Sequence, residues 1–196
     1  MAIILASNSR RRNQILENLG LDFFPHPPSP VDEEVILNGS SASLPERLIA
    51  LAKAKGAGVM DHHPNHLVVT ADTVVVLGDR VLGKPRDRDD ALRMLGDLSG
   101  KTHKVMTAVS IQRADPPLNL AGVETTDVTF RALSPEAVAH YVDTVGPYDM
   151  AGAYAIQDMG GLLVKKIDGC YFNVVGLPVG LLLDLLKQAG ADAILK

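Results

Sequence analysis

A chain of 196 residues, 46% hydrophobic and 21% charged, has the length and composition of a globular protein with a proper core, as one large domain or two small ones fused through a shared sheet. Its net charge of −4 argues against a nonspecific nucleic-acid binder, which needs a basic excess, but leaves room for a local cationic pocket. The single cysteine, Cys170, excludes an intrachain disulfide and a cysteine-cluster zinc site, and fits a reducing compartment.

At the N-terminus the basic residues follow the short apolar run instead of preceding it, the reverse of a secretory signal. No stretch approaches the ~20 apolar residues of a membrane span. The expectation is a cytoplasmic protein with neither a nucleic-acid nor a membrane partner. Ala2 to Ala6 reads as a short buried strand. Ser7, Asn8 and Ser9 can cap the helix that follows, whose Ile15, Leu16 and Leu19 lie on one side and which ends at Gly20. Arg10, Arg11 and Arg12 fall in its first turn, where the helix dipole disfavours cations unless an anion is near. Free amides and arginine forks there describe a phosphate site.

Phe24 to Ser43 is rich in Pro, Ser and Gly around Asp32, Glu33 and Glu34, and is predicted to be an extended surface loop. Pro45 begins the next helix, with Leu48, Leu51 and Ala52 inward and Lys53 and Lys55 near its end. His62, His63 and His66 surround Pro64, which breaks the spacing a metal site would need, so this segment reads as a polar connection. Leu67 to Asp87 is the most unusual stretch. An almost unbroken aliphatic run predicts a strand buried on both faces, yet Asp72 lies inside it, and a buried carboxylate must be paired, hold a metal or meet a local opening. Gly78 and Asp79 form a two-residue turn, and the returning strand delivers Lys84 and Arg86.

Asp87 is the predicted cap of a helix through Ala91, Leu92 and Leu95 that closes at Ser99 and Gly100. Lys101 to Gln112 and Leu120 to Phe130 are strands joined at Asp115, Pro116 and Pro117, and Ser134 with Pro135 opens a further helix. Gly146 to Gly161 carries four glycines and one amide side chain, Gln157, and reads as a loop that brings backbone close to something. Leu162–Ile167 and Cys170–Val175 flank Asp168 and Gly169 and are predicted to form a hairpin. Pro178 begins the last helix. Helices and strands mix without strict alternation, which predicts an α/β fold on a long mixed sheet flanked by helices, in two lobes with a central cleft.

Neither GxxxxGK[ST] nor GxGxxG occurs, so a P-loop and a dinucleotide fingerprint are both missing. A dispersed set remains: Arg11, Arg12, Lys53, Lys84 and Arg86 as cations, Glu33 and Asp72 as carboxylates. Cations gather polyanions and carboxylates gather a divalent metal; together they describe metal-assisted attack of water on a phosphoanhydride.

The stretches LASNSRRRNQIL (5–16), LAKAKG (51–56), TADTVVVLGDRVLGKPRD (70–87), LSGKTHKVMTAV (98–109), TDVTFRAL (126–133) and DMAGAYAIQDMGGLLVKKIDGCYFNVVGLP (149–178) resemble the Maf family of nucleotide pyrophosphatases, in order and over nearly the whole chain. The resemblance implies a single Maf-like domain over residues 1–196, in two lobes, similar to inosine triphosphate pyrophosphatases. It also implies hydrolysis of a nucleoside triphosphate to the monophosphate and pyrophosphate, with Mg²⁺, or Mn²⁺ in its place, and is compatible with a homodimer. By resemblance Asp72 is the general base and, with Glu33, holds the metal. Lys53, matched through a one-residue insertion near Gly56 and preferred over Lys55, contacts phosphates with Lys84. Ser7, Ser9 and Arg12 form the phosphate turn, and Gln157, Thr73 and Arg11 match the base-selecting positions of the subgroup acting on dTTP and UTP. An amide suits that task, since it can donate to a pyrimidine carbonyl and accept from N3–H. The alternatives are the sister subgroup acting on 7-methyl-GTP and a noncatalytic nucleotide-binding regulator of cell division. Where the family has SPRR, this chain has Ser9, Arg10, Arg11 and Arg12, losing the proline that would preset the first turn.

Overall fold

The computed structural model describes residues 1–39 and 41–191. Among the described residues seven strands form one mixed sheet: β1 (Ile3–Ala6), β2 (Phe23–His26), β3 (Leu67–Leu77), β4 (Arg80–Leu82), β5 (Thr102–Arg113), β6 (Leu118–Phe130) and β7 (Val164–Asp168). The order is β2-β1-β3-β5-β6-β7, with β4 on β3. Strand β1 runs parallel to β2 and β3, whereas β4 and β7 pair antiparallel with β3 and β6. The helices are α1 (Arg10–Asn18), α2 (Glu33–Asn38), α3 (Leu44–His62), α4 (Arg88–Leu98), α5 (Pro135–Val145), α6 (Tyr171–Val175) and α7 (Val179–Gln188). The α/β class and the mixed sheet expected from the sequence are both present. The chain divides into two compact units, the first made of Met1–Asp72, Thr107–Glu124 and the chain from Gly176, the second of Thr73–Met106 and Thr125–Val175.

In the first unit all four residues of β1 are buried, as expected of a strand with a parallel neighbour on each side. The Ser9 side chain caps α1 by accepting from the Arg12 amide, and Arg10, which replaces the family proline, is exposed. Helix α3 opens with a capping box between Ser43 and Glu46. Its Leu48, Leu51, Ala52, Gly56 and Val59 are buried, and Val59 packs with Ile4, Ala6 and Val68 of the sheet.

Two expectations for this unit are corrected. The segment from Phe24 to Ser43, of which Ser40 lies outside the described residues, is not one extended loop, because β2 reaches to His26 and α2 spans Glu33–Asn38. The Asp32 side chain accepts from the Val35 amide at 3.0 Å, so the acidic cluster is a capped helix start with Glu33 and Glu34 in the first turn, where the dipole favours them. Lys53 and Lys55 are not near the end of their helix either, since α3 continues to His62.

In the second unit, Gly78 (φ +60°) supplies the turn between β3 and β4, with Val75 opposite Leu82. The Asp87 side chain caps α4, and that of Ser134 caps α5. The glycine-rich segment holds two 3₁₀ turns, Ala151–Ala153 and Asp158–Leu162. It approaches its own backbone at Gly160, where a Cβ would lie 1.5 Å from the Ala155 carbonyl oxygen, and that of the β3–β4 hairpin at Gly152, whose amide donates to the Gly83 carbonyl at 2.9 Å.

The predicted hairpin over 162–175 is corrected. Its first arm is β7, paired to β6, but Tyr171–Val175 is helix α6. A type I′ turn needs positive φ at both central residues; Gly169 has φ +130°, and Asp168 is not among the positive-φ residues. Side-chain bonds replace the expected ladder. Thr126 Oγ1 accepts from the Cys170 amide at 3.0 Å and from Asn173 Nδ2 at 2.9 Å, while Asn173 Nδ2 also donates to the Val105 carbonyl at 2.9 Å.

An aromatic cluster fills the core here. His103, Phe130 and Tyr154 meet edge to face at centroid distances of 4.8–5.4 Å, and His103 Nε2 lies 2.7 Å from the Tyr154 hydroxyl. Its Nδ1 is buried with no hydrogen-bond partner among the described residues, so a second ring proton would be an unsatisfied donor. Burial pushes His103 down to about 4, against a smaller opposing pull from Asp127. A histidine depressed in the folded state contributes stability above its unfolded value of 6.5, and this is lost as pH falls towards 4. The contribution is about 3 kcal/mol. Urea unfolding at pH 7.5 and 4.5 is expected to show a loss of stability that is smaller by about this amount in His103→Leu; an equal loss in both proteins contradicts it.

Candidate active site

In the first unit one ammonium joins two carboxylates. Lys55, in the middle of α3, places Nζ 2.7 Å from Glu33 Oε1, at the start of α2, and in contact with Asp72 Oδ2 on β3. The Lys55 and Asp72 side chains are 15% and 10% exposed and that of Glu33 is 49% exposed, so the pair with Asp72 is the sheltered one. The carboxylate that looked out of place in an aliphatic strand is therefore paired with a cation.

The lysine in this constellation is Lys55 and not Lys53. Lys53, preferred from the family spacing, is half-buried and forms no ion pair among the described residues. A helix turns about 100° per residue, so positions 53 and 55 lie about 200° apart. The buried stripe 48, 51, 52, 56 and 59 continues through 55 and not 53. That stripe was readable in the sequence and would have selected Lys55.

Beside this cluster the N-terminus of α1 gathers Ser7, Ser9 and Arg12. Ser7 Oγ accepts from the Ser9 amide at 3.1 Å and from Arg12 Nη1 at 3.4 Å. Arg12 Nε donates to the Gly176 carbonyl at 2.8 Å, which ties the turn to the residues leading into α7. Burial pushes the Arg12 guanidinium below its usual range; the charge of Asp72 is the largest effect opposing this, the Arg11 charge adds a smaller push downward, and Glu33 adds a smaller pull upward. Arg12 therefore stands in the field of both carboxylates. Arg11, the next residue back, is half-buried.

The remaining predicted residues belong to the second unit. Thr73 follows Asp72 on β3 and is half-buried; Lys84 is exposed after β4. Gln157 is half-buried at the start of the second 3₁₀ turn, where its carbonyl accepts from the Gly160 amide at 3.0 Å. Arg86, also noted in the sequence, is exposed and its guanidinium pairs with Asp90 at 3.6 Å.

Among the described residues no three His, Cys, Asp or Glu side chains are grouped so as to hold a metal. Glu33 and Asp72 thus supply two carboxylates and no closed cage. Mg²⁺ and Mn²⁺ are hard ions commonly bound by one or two carboxylates with substrate phosphates and water. That a lysine ammonium already contacts both carboxylates shows that the pair can share one cation, so the donor set fits such an ion.

A family model described as "Maf-like protein" matches residues 2–189. A protein of Acetivibrio thermocellus named dTTP/UTP pyrophosphatase is 46% identical, with 99% of this chain and 98% of that protein aligned. Proteins with the same name from Desulforamulus reducens and Thermosipho africanus are each 43% identical, covering 98% and 97% of this chain and 98% and 94% of their own lengths. With a family model matching residues 2–189 and relatives aligned over nearly the whole chain, the chain belongs to the Maf family.

Proposed function

We propose that this protein hydrolyses nucleoside triphosphates, dTTP and UTP by preference, to the monophosphate and pyrophosphate. The observation that carries the reading is the cluster of Glu33, Lys55 and Asp72 beside Arg12, which joins carboxylate chemistry to cations able to hold a polyphosphate. The relatives named for this activity align end to end with the chain. In the proposed mechanism Asp72 orients the attacking water and takes its proton. Glu33 and Asp72 would hold a divalent ion, which when bound would neutralise charge on the phosphoryl oxygens. Arg12 and the Ser7–Ser9 turn bind phosphate oxygens, with Lys55 and Lys84 as further cations. Lys55 can release one carboxylate as phosphate approaches, since an ammonium on four single bonds swings readily. Thr73, Gln157 and Arg11 select the base.

The reading includes a cytoplasmic location and a nucleoside triphosphate as the small-molecule partner, with a second copy of the chain as the protein partner. The single cysteine fits a reducing compartment, and no described helix is long and apolar enough to cross a membrane.

Phosphorus NMR of dTTP incubated with the protein and Mg²⁺ tests the reaction type. Thymidine monophosphate and pyrophosphate are expected; diphosphate with inorganic phosphate would mean attack at the wrong phosphorus, and unchanged dTTP would favour a binding role. For Gln157→Ala we expect the preference for dTTP over CTP to fall about tenfold or more while kcat on dTTP stays within about threefold, because the lost amide discriminates bases without touching the reacting phosphate. Steady-state kinetics on both nucleotides reads this directly, and an unchanged ratio removes Gln157 as a selector.

A further inference from the structure

The turn of α3 that carries Lys55 is pinned from two directions, and each pin comes from a segment that also carries one of the carboxylates. Ser29 lies between Pro28 and Pro30, four residues ahead of Glu33. Its amide donates to the Lys55 carbonyl at 2.8 Å, and its Oγ accepts from the Gly58 amide at 3.0 Å. One serine thus meets an acceptor and a donor of the same helical turn. On the sheet side, Thr70 Oγ1 donates to the Ala52 carbonyl at 2.7 Å in a fully buried bond. Thr70 and Asp72 share a face of β3, being two residues apart, and Ala52 and Lys55 share a face of α3, being three apart. The bond therefore fixes the strand face that bears Asp72 against the helix face that bears Lys55.

The two glycines of this turn fit the same purpose. Glycine weakens a helix interior, yet positions 56 and 58 both hold one. A Cβ on Gly56 would lie 2.4 Å from Gln112 Oε1 and 3.3 Å from Thr70 Cγ2, and one on Gly58 would lie 3.0 Å from Ser29 Oγ. Their absence of side chains is what lets the strand and the proline-flanked segment come close enough to bond.

We propose that Ser29 and Thr70 are positioning residues, which hold the Glu33 segment and the Asp72 strand on one turn of α3 so that the Lys55 ammonium meets both carboxylates. This rests on the function proposed above. Neither side chain touches the reacting atoms, and both act through the cluster.

The test uses Thr70→Val, which keeps shape but removes the hydroxyl, and Ser29→Ala, with Thr70→Ser and Ser29→Thr as conservative partners. Kinetics on dTTP with Mg²⁺ is expected to show kcat down about tenfold in Thr70→Val and about threefold to tenfold in Ser29→Ala, with KM within about twofold and the conservative variants near the parent. A second readout needs neither nucleotide nor metal: acetylation of lysines by acetic anhydride, followed peptide by peptide by mass spectrometry. Loosened pins should raise labelling of Lys55 relative to Lys53 by about threefold, whereas general unfolding would raise both. Parental kcat together with parental Lys55 labelling in Thr70→Val and Ser29→Ala overturns the proposal. Should the parent itself release no pyrophosphate, the functional reading fails and the labelling ratio alone decides the positioning role, a rise supporting it and no rise overturning it.

Discussion

Asp72→Asn is expected to lower pyrophosphate release from dTTP by about a thousandfold, within the range for loss of a general base. The side chain is nearly isosteric, so packing in β3 is kept, but an amide cannot take a proton from water at neutral pH. Two further losses add to the effect. Asp72 is the buried partner of Lys55, and its charge is the largest influence holding up the Arg12 guanidinium against burial. The variant should stay folded and retain some triphosphate affinity, so the drop falls mainly on kcat. A continuous assay for released pyrophosphate on equal amounts of parent and variant measures this; equal rates remove Asp72 as the base.

Lys55→Met is expected to lower kcat/KM by about a hundredfold, with Lys53→Met staying within about twofold of the parent. The asymmetry follows from geometry: Lys55 meets both carboxylates while Lys53 forms no ion pair among the described residues. Methionine keeps the aliphatic stem, so the change isolates the charge. Its removal leaves two acidic groups without their shared cation, and stability should fall by about 1–3 kcal/mol. This is less than for a fully enclosed pair, because Glu33 is half exposed and screened by water. Side-by-side kinetics and urea unfolding of the two variants check it. A larger loss in Lys53→Met would restore the assignment made from family spacing.

Local chemistry was the most legible part of the fold. Ser9, Asp87 and Ser134 cap α1, α4 and α5 because a short oxygen-bearing side chain ahead of an apolar stripe has one obvious use. The Gly78–Asp79 turn was equally plain, since it joins two apolar runs of strand length. Segments whose partners are distant in sequence were not legible. Tyr171–Val175 has the composition of a strand but forms a helix because Asn173 and the Cys170 backbone bond to Val105 and Thr126, partners more than forty residues away. Glu33 and Glu34 looked like loop residues because α2 is only six residues long, too short to show a period.

The candidate site shows the same division. Asp72 stood out from its sequence neighbours alone, as a charge in an aliphatic strand. Choosing between Lys53 and Lys55 required the helical stripe to outweigh a motif alignment, and Ser29 and Thr70 carried no signal because serine and threonine are common and their bonds cross 29 and 18 positions.

Selective hydrolysis of dTTP and UTP by this cluster is tested most directly by kcat/KM for pyrophosphate release from dTTP, UTP, CTP, GTP and 7-methyl-GTP, with Mg²⁺ and with excess chelator. We expect dTTP and UTP ahead of the other three by about tenfold or more, and no release of pyrophosphate from any of them in chelator. A preference for 7-methyl-GTP, or full activity without a divalent ion, would contradict it.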